Sequence, residues 1–235
     1  MRLAWMVGLG CWVSTTMAIP ANAQESRARV HDGFYLRLAL GGGYLVSTHA
    51  FERTSFYYPV TTTTSHRVDG LAQTGVLMMG GTVAEGWVLG GGFWNMNVFA
   101  PQVSTDAPPG DAGPQRGAPY GAPPSSETVE TGLVSISAVG PFVAWYPNPR
   151  AGWHAELALG YAYAFSEGGA SVGFIEPWSA HGVGAMGAFG HDFWVSEQWS
   201  VGVQLRATFM HGSSDASDGT YTAFVPALAM TGTYH

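Results

Sequence analysis

The sequence predicts an all-β protein: a single up-and-down antiparallel transmembrane β-barrel of about eight strands. Three observations predict it. Eight segments alternate apolar and polar residues with a period of two, the pleat of a strand and not the turn of a helix. The connections between them alternate short with long. Charged residues make up only 11% of the chain, whereas a soluble domain carries about a quarter and uses them to cover its surface.

The same scarcity of charge bounds the alternatives. All nine basic residues are Arg and the net charge is −7. No basic patch exists to neutralise phosphates, which excludes nucleic acid as a partner. The most apolar stretch after the leader, 133–145, is interrupted by Ser135, Ser137, Gly140 and Pro141. It falls short of the ~20 apolar residues that a membrane helix needs. A chain this poor in charge, without such a helix, crosses lipid with strands closed into a ring. A secreted soluble β-sandwich is the alternative architecture.

The elements follow in order. Residues 1–23 read as a signal peptide: Arg2 is a short positive start, 3–13 an apolar core, and Ala21-Asn22-Ala23 a cleavage site. The only cysteine, Cys11, lies inside it, so the mature chain has no disulfide chemistry. Residues 24–32 form a short periplasmic tail, and 33–235 the barrel. In 33–46, Phe34, Leu36, Leu38, Leu40, Tyr44 and Val46 share one face, with Arg37 on the other. A weaker strand, 68–83, puts Leu71, Leu77 and Met79 on a face with Gln73. Residues 86–99 set Val88, Trp94, Met96 and Val98 opposite Asn95 and Asn97. Residues 130–146 set Val134, Ile136, Phe142 and Tyr146 opposite Ser135 and Ser137. The clearest alternation is in 152–166, where six apolar residues from Trp153 to Phe165 oppose His154 and Glu156. Residues 180–194 are Gly-rich and only loosely alternating. Residues 198–210 set Trp199, Val201, Val203 and Leu205 against Gln204 and Arg206, and 219–235 close the set.

Two further features choose lipid over water for the apolar face. The connections near 84–86, 147–151 and 195–198 are short, and those at 47–67, 100–129, 167–179 and 211–219 are long. Outer-membrane barrels show this asymmetry, with tight periplasmic turns and long external loops. Trp87, Trp145, Trp153, Trp194 and Trp199 all flank the short turns, forming an aromatic girdle at one membrane interface. Within the barrel, 101–126 is a Pro/Gly-rich insert that cannot build a core and is expected as an extended, mobile external loop. Loop 47–67, rich in Thr and aromatics, is expected to self-pair as a hairpin above the membrane, with Phe56, Tyr57 and Tyr58 available to a partner.

On this architecture, residues 33–235 resemble the transmembrane domain of small bacterial outer-membrane barrels, the OmpA/OmpX class. The resemblance implies a Gram-negative outer-membrane location, porin-like shape, contact with outer-membrane lipid and lipopolysaccharide, and assembly by the barrel-assembly machinery. It implies no activity. Such barrels usually end on an aromatic residue, whereas this chain ends Tyr234-His235. No peptidoglycan-binding domain follows the last strand, so the wall-tethering role of larger members is not implied.

The residues expected to meet in the lumen are Arg37, Asn95, Asn97, Glu156, Gln204 and Arg206, with Glu156 and Arg206 as an ion pair. Eight strands leave an interior just wide enough for side chains, so these residues are read as a plug. His211-Gly212-Ser213-Ser214-Asp215 carries the one nucleophile pattern. It resembles the His-x-Ser of lipid A deacylases, but no Glu follows Ser213. His49, His66, His181 and His211 lack metal-ligand spacing. The expectation is therefore no enzyme, no cofactor and no metal. The role read from the sequence is structural or surface-interacting, through the external loops. A narrow channel for small solutes is the second reading, and a hydrolase of outer-leaflet lipid the third.

Overall fold

The computed structural model describes residues 33–54, 61–106, 129–130, 132–167, 178–215 and 219–235. The expected leader and tail at 1–32, the loop tip with Phe56, Tyr57 and Tyr58, and most of the Pro-rich insert lie outside the described residues. The strands are β1 (Phe34–Thr54), β2 (Thr61–Ala84), β3 (Trp87–Phe99), β4 (Gln102–Asp106), β5 (Val129–Glu130), β6 (Leu133–Trp145), β7 (Trp153–Ser166), β8 (Trp178–Trp194), β9 (Trp199–Ser214) and β10 (Thr220–Tyr234).

Eight of these strands close a ring in the order β1-β10-β9-β8-β7-β6-β3-β2, with β2 pairing back onto β1. Every pairing is antiparallel, so the fold is the up-and-down barrel that the alternation predicts. Closure leaves no open edge in the wall. The two short strands stand outside the ring. β4 pairs with the far end of β2 over Ser65–Asp69, and β5 pairs with β4. The insert therefore departs from expectation at its start, because Gln102–Asp106 finds the unpaired edge of an over-long β2 and adds to it. The 47–67 connection does self-pair, with β1 and β2 in register as far as Thr54 and Thr61.

Two short turns depend on glycine. Gly86 and Gly152 have φ of +74° and +77°, a conformation that costs an L side chain energy. A Cβ would also meet Tyr146 O at 2.4 Å from Gly86, and Asp192 O at 2.1 Å from Gly152. Those close approaches carry hydrogen bonds, Tyr146 N to Gly86 O at 2.8 Å and Asp192 N to Gly152 O at 3.0 Å. Each turn thus ties itself to the next strand round the ring.

The outer wall is apolar around the whole waist. Leu71, Met230 and Leu40 are the most exposed of its large residues, at 79%, 72% and 69%. A belt of this extent has no stable place in water and is the surface of a barrel that faces lipid. Among the described residues no helix is long and apolar enough to cross a membrane.

The interior departs from the expected polar lumen. Its charged residues gather at the short-turn end, with only isolated groups such as Thr74, Thr208, Ser47 and His49 buried further along. Above that end Leu45, Met78, Trp94, Ile136, Met186 and Met210 are fully buried in one apolar core. The difference traces to β3 and β6. There Trp94, Met96, Val134 and Ile136 point inward, and Asn95 and Asn97 face outward. Trp87 explains it: it anchors the outer wall, and Asn95 and Asn97 lie an even number of residues along the same strand, so the pleat puts all three on one face.

Candidate functional site

The inward side chains at the short-turn end converge on Arg37. The ladder shows why. Followed through β2, β3 and β6, the row containing Arg37 passes Met78, Gly92 and Gly140 and meets β7 beyond Glu156. Followed through β10, β9 and β8, it passes Thr233, Ser200 and Trp194 and meets β7 short of Glu156. The tilt of the strands therefore sets Glu156 level with Arg37, straight across the ring.

Arg37 is wholly buried and uses every face of its guanidinium. Its Nε donates to Thr233 Oγ1 at 2.9 Å. One terminal nitrogen is paired with Glu156 and lies 2.7 Å from His154 Nε2. The other is paired with Asp192 and donates to the Tyr146 hydroxyl at 2.8 Å. A guanidinium has donors only, so His154 Nε2 must accept. The imidazole proton then sits on Nδ1, where the Gly152 carbonyl at 3.2 Å and the Asp192 carboxylate at 3.4 Å receive it. His154 is thus held as a neutral ring of one tautomer by its partners alone. Thr231 donates to Asp192 at 3.1 Å, and the Tyr35 hydroxyl to Glu156 at 3.4 Å. Two cations, Arg37 and Arg206, balance two carboxylates, the condition under which charge survives burial.

Four of the six expected lumen residues, Arg37, Glu156, Gln204 and Arg206, point inward and are buried. The expected pairing differs: Glu156 is taken by Arg37 and not by Arg206. Arg206 stands six residues along β9 from Ser200, the position in Arg37's row, and takes the carboxamide oxygen of Gln204 at 3.1 Å from Nε. Asn95 and Asn97 do not belong to the lumen. They form an outward ladder, with Asn97 donating to Asn95 at 2.8 Å and Asn95 to Ser137 at 3.0 Å.

The girdle residues Trp87, Trp145, Trp153 and Trp199 lie on the outer wall, with Trp87 stacked on Trp145 at 6.0 Å. Trp194 departs. It has the inward parity of Asp192, and its ring lies 4.8 Å from that of His235. Tyr234 takes an outer-wall place instead, against Trp199 at 5.3 Å and Phe34 at 6.3 Å. The terminal His235 consequently turns under the lumen. It meets Ser200 Oγ at 3.1 Å and packs on Tyr35 and Tyr146.

Tyr35, Asp192, Thr231 and Thr233 carry no mark in the sequence, and Tyr146, His154 and His235 are placed by it without a part in the lumen network. Parity with Phe189 and Phe193, which face outward in β8, could have found Asp192 on the inner face, but the girdle reading of Trp194 pointed the other way. At the other end of the lumen, His49 packs on Trp178 at 4.9 Å and Tyr221 at 6.5 Å. Burial, and then the neighbouring His66, push the His49 imidazole down to about 4. Among the described residues no three His, Cys, Asp or Glu gather as a metal would need.

The fold is shared with a solved outer-membrane barrel. OprG, an outer membrane protein from Pseudomonas aeruginosa, superposes with a TM-score of 0.55 at 11% identity, over 88% of this chain and 99% of OprG. AlkL, an outer membrane protein solved in lipid bilayers, gives 0.44 at 8% identity over 94% and 97%. The outer membrane protease OmpT from Escherichia coli gives 0.42 at 7% identity over 87% and 97%. No protein-family model matches the sequence, and no curated protein matches it.

Proposed function

We propose that this chain is an exported bacterial outer-membrane barrel whose lumen is closed to solutes and whose working surface is its external, long-loop face. The observation that carries the reading is the Arg37 network. One guanidinium joins β1 to β7, β8, β10 and Tyr146 just past the end of β6, and an apolar core fills the bore above it. An ion or sugar crossing the barrel would have to break a buried ion pair and then cross a layer of methionine and tryptophan. The lumen carries structure, and the role is structural or surface-interacting. The apolar belt takes outer-membrane lipid, the long-loop end meets lipopolysaccharide and any external ligand, and the barrel-assembly machinery inserts the chain.

Conductance tests this. The mature barrel, refolded in detergent and added to a planar bilayer, is expected to be silent, and Arg37→Ala to leak. Steady unit conductance from the wild type would replace the plug with a narrow transport path.

A further inference from the structure

The lipid-facing wall carries a polar patch on β2, β3 and β6. The ladder assembles it in two rows. Gln73 stands opposite Asn97, and Asn97 opposite Ser135; Gly75 stands opposite Asn95, and Asn95 opposite Ser137. Directly opposed residues share a face. Here it is the outer face, with Gln73 exposed and Asn95 and Asn97 partly so.

Apolar residues close round the patch. Further up the same strands Leu71 and Phe99 are 79% and 64% exposed, and further down Leu77, Phe93 and Val139 point to lipid. At the flanks the row of Asn95 runs into Leu40 on β1 and Tyr163 on β7. Asn95 and Asn97 stand eight and ten residues from Trp87. At a strand's rise and a tilt of about 40°, that is roughly 20–25 Å above the girdle. The patch therefore lies at the outer-leaflet end of an apolar belt about 25 Å tall.

Polar groups in such a place are costly unless each finds a partner. Part of the patch does. Asn97 donates to Asn95 Oδ1 at 2.8 Å. Asn95 donates to Ser137 Oγ at 3.0 Å, and to Ser135 Oγ and the Ile136 carbonyl at 3.3 Å. These bonds engage the Asn95 amide on both sides. They leave the Asn97 carbonyl oxygen, one of its N–H groups and the whole Gln73 carboxamide without a hydrogen bond among the described residues. The two amides sit side by side on neighbouring strands, facing the same way.

The chemistry of the patch selects its partner. It holds no charge, so the phosphates of lipopolysaccharide find no cation there. Arg67, higher on the same face of β2, is paired with Asp69 at 3.7 Å. An amide carries donors and an acceptor together and is its own complement. A two-fold axis lays such a patch on an identical one, so that the Asn97 oxygen of each copy meets a Gln73 N–H of the other. Side-chain amides join transmembrane helices in this way.

We infer that the β2–β3–β6 face is a homodimer interface in the plane of the membrane, with Asn97 and Gln73 of one copy hydrogen-bonded to Gln73 and Asn97 of a second. The inference rests on the reading of the chain as a membrane barrel. Leu71, Phe99, Phe93 and Val139 form the apolar rim that keeps lipid and water off those bonds.

The test uses the mature barrel carrying Glu85→Cys in the exposed β2–β3 turn, far down the strands from the patch. Donor-labelled and acceptor-labelled samples are inserted together into phosphatidylcholine vesicles. Energy transfer is expected above the random-proximity level, persisting as lipid is added and rising linearly with the acceptor fraction, as for a dimer. Gln73→Leu with Asn97→Leu should weaken association by about 10-fold or more. Leu205→Ala, on the opposite side of the ring, should leave it within about twofold, as a site outside the contact does. The leucine pair takes polar groups out of lipid and is expected to fold, which heat-modifiable gel mobility reads. Any substitution at 97 removes the amide itself, so a label placed there reads the wall of a monomer. Random-level transfer in an inserted barrel overturns the inference, and so does transfer that the leucine pair leaves unchanged. A monomer that keeps lipopolysaccharide through purification, and loses it in the leucine pair, assigns the patch to lipid and overturns the dimer. Those outcomes leave the membrane reading in place, whereas failure to insert removes that reading and the dimer with it.

Discussion

Arg37 and Glu156 stand on diametrically opposed strands, 119 residues apart in sequence, and form an ion pair across the lumen with both side chains fully buried. Removing one member leaves the other buried without compensation. Arg37→Ala should therefore cost about 3–5 kcal/mol of barrel stability, read as a shift in the urea midpoint of the refolded protein. Replacing Arg37, Glu156, Asp192 and Arg206 together with Met, Leu, Leu and Met should cost less than the single change, because no charge is stranded. If the quadruple variant is the less stable one, the network is worth more than its desolvation.

The two turn glycines give a separate test. Gly152→Ala combines a left-handed backbone with a Cβ at 2.1 Å from Asp192 O. It should destabilise by at least ~1–2 kcal/mol and disturb the Asp192 side of the network. Gly42→Ala, where a Cβ meets nothing within 4 Å, should fold like the wild type. Equal midpoints for the two variants would contradict the close approach.

Parity along β3 is directly readable. A nitroxide at position 97 should be relaxed by oxygen dissolved in the bilayer, and one at position 96 should be shielded. The reverse order would return Asn97 to the lumen.

His49 supplies a pH dependence. Its folded value of about 4 lies below the ordinary 6.5, so between the two the unfolded chain binds the proton and the folded one does not. The contribution of the His49 contact is complete above about pH 6.5 and is lost as pH falls towards 4. Protection factors for amide exchange, taken relative to the intrinsic rate at each pH, should fall from pH 7 to pH 5 in the extension of β1 and β2 beyond the membrane. His49→Phe should flatten that response.

How much of this was legible depended on how many independent signals each residue carried. The ring of eight strands was written several times over, in alternation, loop lengths and tryptophans. The inward side of Arg37, Glu156 and Arg206 followed from strands with clean alternation. Asn95 and Asn97 misled because polarity was weighed without the anchor: Trp87, on the same strand and at the same parity, already fixed which face was outside. The Glu156 partner was not legible at all. It depends on strand tilt, which sums small offsets around the whole ring and leaves no mark in any one segment. Gln73 and Asn97 are likewise joined by a register, and β2 is the strand whose weak alternation hides its faces.

The seam of the ring joins the first strand to the last, with Arg37 opposite Thr233. The guanidinium gains its full set of partners only when the last strand has closed on the first. An open, partly zipped barrel would have to carry a bare cation past the bilayer interface, while the closed one carries a neutral knot. A residue placed across the bore thus makes closure of the ring the condition under which its own charge is compensated in a low-dielectric surrounding.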